Sequence, residues 1–133
     1  MKFSGIAGAA LGLGLSVGLS GCGAQVASLP AQFQGQWDQT AALCNDMDGV
    51  SRLTVDATGI GFYESEGELK GAARTLGERV SGTFHMSGTD YQDVPPQGLE
   101  QSGELVLTDH GAGLILTLQG RRQNYVRCTG SRA

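Results

Sequence analysis

The chain predicts an all-β fold: a single small antiparallel up-and-down β-barrel of about eight strands, closed by one disulfide. Three observations predict it. From residue 52 onward apolar residues recur at every second position, in short runs broken by Gly, Asp, Asn and Thr. Sixteen glycines remain after residue 21, from 22 in the whole chain less six before it, and that density disfavours a helical bundle. No segment carries a convincing helical period.

The N-terminal run has the three parts of an export signal. Lys2 supplies a positive start, residues 4 to 18 carry no charge, and Leu19-Ser20-Gly21 places small residues before Cys22. The run is too short and too glycine-rich for a span of about 20 apolar residues. Leu-Ser-Gly-Cys resembles a bacterial lipobox. That resemblance implies removal of residues 1–21, a diacylglycerol on the Cys22 sulfur, and acylation of the new amine by a chain such as palmitate. Each buried CH2 contributes about 0.8 kcal/mol, so several chains anchor the protein stably. Cleavage elsewhere, for example after Ala24, is the alternative. Gly23, rather than aspartate, follows the cysteine, which by analogy with enteric bacteria favours the outer membrane over the inner.

With residues 1–21 set aside, 112 of the 133 residues remain, enough for one domain with one modest core. Removing Lys2 takes the formal net charge from −4 to −5. An acidic surface argues against nucleic acid or an anionic membrane face as the main partner. Cys44 and Cys128 are left after Cys22, and in an oxidising periplasm they are expected to pair, the alternative being a free thiol.

The remaining chain is taken in order. Residues 22–31 are expected as the lipidated cysteine and a flexible tether, 32–129 as the barrel and 130–133 as a disordered tail. The stretch from Gln32 to Asp38 contains Gly35-Gln36-Trp37. This Gly-x-Trp resembles the opening of calycin barrels, in which the glycine permits a bend and the indole plugs one end. Asp46-Met47-Asp48-Gly49 fails as a calcium loop, because Cys44 and Val55 would fall where carboxylates are needed. A polar turn is expected instead.

Leu53 and Val55 alternate with polar neighbours, and Ala57-Thr58-Gly59 turns the chain into Ile60 and Phe62. Glu64-Ser65-Glu66-Gly67 is expected as the next hairpin, followed by Leu69, Gly71 and Ala73 on the inner face. Val80, Gly82, Phe84 and Met86 alternate without exception against Arg79, Ser81, Thr83, His85 and Ser87, which directs His85 outward. Residues 88 to 98 contain Pro95-Pro96 and form the longest connection. Its Asp90, Tyr91 and Asp93 are the candidate partner-binding residues, Tyr91 as an apolar anchor and the two aspartates as rim charges. Leu99 to Leu107, then Leu114, Leu116 and Leu118, then residues 123–128 supply the last strands. The inward glycines Gly71, Gly82 and Gly103 either bend strands or leave space.

After residue 21 no catalytic motif is present: no Gly-x-Ser-x-Gly, no His-Glu-x-x-His, no phosphate loop and no Cys-x-x-Cys. Glu64 and Glu66 fall on a hairpin turn, poorly placed for acid–base work. No enzyme activity, cofactor or metal is expected.

Taken together, Phe33 to Trp37, Cys44, Leu53-Thr54-Val55, Phe62-Tyr63-Glu64-Ser65, Phe84 and Tyr125-Val126-Arg127-Cys128 resemble a group of small envelope proteins of alphaproteobacteria. The resemblance covers about residues 30 to 128; it supports the architecture and assigns no reaction. The expected role is a non-enzymatic binding or structural module of the cell envelope, lipid-anchored at the outer membrane and facing the periplasm. An inhibitor of a protease or lysozyme is the alternative, by similarity to barrel inhibitors that carry Gly-x-Trp and one disulfide. Carriage of an apolar ligand is a third reading, and it requires a cavity of some hundreds of Å³.

Overall fold

The computed structural model describes residues 23–88 and 98–129. It is all-β. Strands β2 (Gly35–Asp38), β3 (Leu53–Asp56), β4 (Gly59–Gly61), β5 (Ser65–Leu76), β6 (Arg79–Gly88), β7 (Leu99–Thr108), β8 (Gly113–Leu118) and β9 (Arg121–Arg127) each pair antiparallel with the next. The last of them, β9, pairs back onto β2 and closes the ring. Closure leaves the eight barrel strands without a free edge. One strand lies outside the ring: β1 (Ala24–Val26) adds to the C-terminal half of β5, beyond the short β4.

Alternate connections of an up-and-down barrel lie at alternate ends. One end, called here the closed end, carries the turns after β3, β5 and β7 and the segment that enters β2. The other, the loop end, carries residues 39–52, 62–64, the connection from Gly88 to Gly98, and 119–120.

The expected alternation sets the core. Leu53, Val55, Ile60, Val80, Phe84, Met86, Leu105, Leu107, Leu114, Leu116, Leu118 and Tyr125 point inward and are buried. The inner glycines make room for neighbours rather than for a ligand. A Cβ at Gly103 would lie 2.8 Å from the Phe84 ring, and one at Gly82 would lie 2.9 Å from Leu69 Cδ1.

Three expectations need correction. The stretch 22–31 is not a free tether where it is described. It holds β1, Leu29 is buried, and a single 3-10 turn at Ala31–Phe33 follows. The hairpin placed at Glu64 to Gly67 lies earlier, with the Phe62 N–H donating to the Ser65 carbonyl, so Glu66 belongs to β5. Gly71 does not face inward; the β5–β6 register shifts between Lys70 and Arg74, and Gly71 sits there exposed at φ +68°, the left-handed region that glycine favours. The first barrel strand begins at Gly35, directly after the 3-10 turn at Ala31–Phe33.

The closed end is plugged by the chain that precedes β2. Leu29, Phe33 and Trp37 are all buried, and the Leu29 N–H donates to Ala57 O in the β3–β4 turn. Trp37 Nε1 donates to Phe33 O at 3.1 Å, which satisfies the one polar atom of the indole.

Candidate functional site

Two polar latches hold the segments on either side of β2 in place. Arg127 lies 4.2 Å over the Trp37 ring. Its guanidinium donates to three carbonyls, Gly111 O at 2.9 Å, Gln34 O at 3.0 Å and Gln32 O at 2.8 Å. Gly35, at φ +135°, supplies both the backbone freedom and the space, since a Cβ there would approach Arg127 Nη1 to 3.2 Å. Gly-x-Trp therefore has a local physical cause: the glycine admits the arginine that covers the indole.

The second latch folds residues 39–52 against β2. Cys44 and Cys128 form the expected disulfide, with Cα atoms 5.4 Å apart. Asp38 is fully buried; it accepts from Ser51 Oγ at 2.5 Å and pairs with Arg52 Nε at 3.3 Å. Arg52 Nη2 also donates to the carbonyls of Leu43, Cys44 and Asp46 at the end of the 3-10 turn Ala42–Asn45. Both latches escape a reading by alternation alone, because a charge next to Trp37 looks like an ordinary outward residue. The available signal was the arginine at each disulfide-flanking segment.

Met47, Val50, Tyr63 and Leu99 are exposed large apolar residues; the first three come from the loop end's connections and Leu99 opens β7. Asp90, Tyr91 and Asp93 lie outside the described residues; the chain leaves β6 at Gly88 and returns at Gly98 on this same end. Ser65 Oγ and Gln101 Oε1, at the loop-end starts of β5 and β7, are buried without a hydrogen-bond partner. Such groups carry a desolvation cost.

A shallow depression of about 260 Å³ lies on the outside of the barrel over β4, floored by Gly59 and Gly61 and walled by Thr54 and Asp56 on one side and Glu66 and Glu68 on the other. Asp56 is engaged locally, accepting from the N–H groups of Thr58 and Gly59. No group of three or more His, Cys, Asp or Glu among the described residues could hold a metal ion.

The histidines are not brought together. His85 lies on the outer face of β6, paired across the sheet with Glu68 on β5 and Glu100 on β7, while His110 sits in the β7–β8 turn at the closed end. Cys22 lies outside the described residues. Compared with known proteins, the chain matches no family model, no curated protein and no solved structure.

Proposed function

We propose that the protein is a lipoprotein of the cell envelope, acylated at Cys22, exported to the outer membrane and facing the periplasm, where it acts as a non-enzymatic binding or structural module. The observation that carries this reading is Leu19-Ser20-Gly21-Cys22 at the end of an uncharged apolar run, with a folded domain beginning directly after it. A disulfide between Cys44 and Cys128 is consistent with an oxidising compartment. The interior packed with Phe84, Met86 and leucines offers no support for a ligand carrier.

The loop end is the surface this reading assigns to a partner, with Tyr63 and Leu99 exposed there. Inhibition of a protease by a free N-terminal segment loses its support, because residues 24–26 pair with β5 as β1 and Leu29 and Phe33 are buried in the closed-end plug.

The test is mass spectrometry of the polypeptide purified from bacterial envelopes. The N-terminal peptide is expected to begin at Cys22 with the mass of three acyl chains, and Cys22→Ser is expected to release the protein from the membrane fraction. An unmodified Cys22, or a Cys22→Ser chain that still sediments with membranes, would refute the anchor.

A further inference from the structure

We infer that the tip of the β5–β6 hairpin is the membrane-facing surface of this protein, with Leu76 set against the lipid, so that the loop end points away into the periplasm. The inference rests on acylation of Cys22 as proposed above.

A nine-residue free tether would reach about 30 Å and let the barrel tumble. Here the chain is fixed at once. Ala24, Gln25 and Val26 pair with Thr75, Arg74 and Ala73 of β5. Gly23 is already held, at φ +69° and so close to the hairpin that a Cβ on it would collide with Thr75 O and lie 3.5 Å from Leu76 Cβ. Cys22 is one peptide bond further, and Cα atoms joined by a trans peptide are about 3.8 Å apart. Acyl chains on that cysteine therefore leave the protein beside Leu76.

The tip suits a lipid surface. Leu76 is 51 % exposed and places an apolar side chain next to the point where the chain continues to Cys22. Gly77, the next residue, has open space around it. Of the charges at the tip, Arg79 pairs with Glu104 at 3.1 Å, and Glu78 in the turn is exposed. The acidic depression is held away from the headgroups: Glu68 precedes Leu76 by eight residues on β5, about 25 Å of strand at roughly 3.3 Å each, which exceeds the Debye length of about 8 Å at physiological salt. Tyr63 lies further still, at the opposite end.

The orientation can be read with a lipid of defined attachment. The chain from Cys22 to Ala133 contains every described element, and Cys22 is its one cysteine outside the Cys44–Cys128 disulfide. It is coupled through that thiol to a maleimide lipid in phosphatidylglycerol–phosphatidylethanolamine vesicles containing brominated acyl chains. Leu76→Trp and Tyr63→Trp are compared, the buried Trp37 being a common background. Bromolipid is expected to cause loss of the added emission in L76W and none in Y63W. Equal loss in both, loss only in Y63W, or no loss in L76W would overturn the orientation. Full chain purified from envelopes serves as the separate control on acylation: an unmodified Cys22 there refutes the anchor itself, whatever the vesicle result.

Discussion

Arg127 does at the closed end what no apolar residue could, joining a turn, a 3-10 segment and an aromatic face through one planar group. Its three carbonyl partners come from residues 32, 34 and 111, which are far apart in the chain. Lysine keeps the charge but loses the fork and the flat face that stacks on Trp37. Arg127→Lys is expected to cost about 2–3 kcal/mol, given that hydrogen bonds to charged groups contribute about 1.5–3 kcal/mol and only part is recovered. The shift of the urea midpoint, followed by Trp37 emission, measures it; an unchanged midpoint would mean that water replaces the guanidinium at no cost. The β8–β9 hairpin offers the opposite case. Its two turn residues, Gln119 at φ 50° and Gly120 at φ 81°, both lie in the left-handed region, as a type I′ turn requires. Glutamine is poorly suited to that position and asparagine is well suited, so Gln119→Asn is expected to stabilise the fold by up to about 1 kcal/mol. A lower melting temperature for the variant would contradict the turn assignment.

At the scale of elements, what the sequence reveals depends on how local its cause is. Strands β6, β7 and β8 carry six to ten residues of alternation, so each is legible from its own residues. β1 has three residues, too few for a period, and its pairing partner on β5 is almost fifty residues away. Gly23 to Ala31 therefore has the composition of a tether while being folded. The only local hint is Leu29, a large apolar residue before Pro30. The β5 bulge is likewise invisible, because Gly71 fits an alternating pattern as well as it fits an irregularity. The role of this N-terminal element is testable through Leu29, which is 1 % exposed. Leu29→Ala is expected to cost about 2–5 kcal/mol, as other buried leucines do. Amide hydrogen exchange should show the loss first at Val26 and Leu29 if the plug opens before the ring. Uniform loss of protection would instead place the plug in the same cooperative unit as the barrel.

For the whole molecule, closure followed from the number of strands and their short connections, while the location of a binding face did not. Tyr63, Leu99 and Met47 are scattered through the chain and share an end only because alternate connections of a meander fall on the same side. The disulfide was legible by elimination, yet its mechanical setting was not. Cys44 is carried by a 3-10 turn that Arg52 already grips through three carbonyls, with the buried Asp38 beneath. Two restraints thus act on the same segment, one covalent and one ionic, and they need not be additive because they share partners. Cross-linking Cys44 to Cys128, 84 positions apart, restricts the unfolded chain over most of the domain. Replacing both cysteines by serine is expected to cost about 2–5 kcal/mol. In a domain of this size each kcal/mol lowers the melting temperature by roughly 4–8 °C. If the ionic latch alone holds residues 39–52 in place, the reduced chain keeps its native Trp37 emission at low temperature and melts earlier; adding Arg52→Met to it should then remove the fold altogether, since a buried Asp38 would be left unpaired. A reduced chain that melts where the oxidised one does would show that the cross-link restrains nothing the unfolded state could otherwise explore.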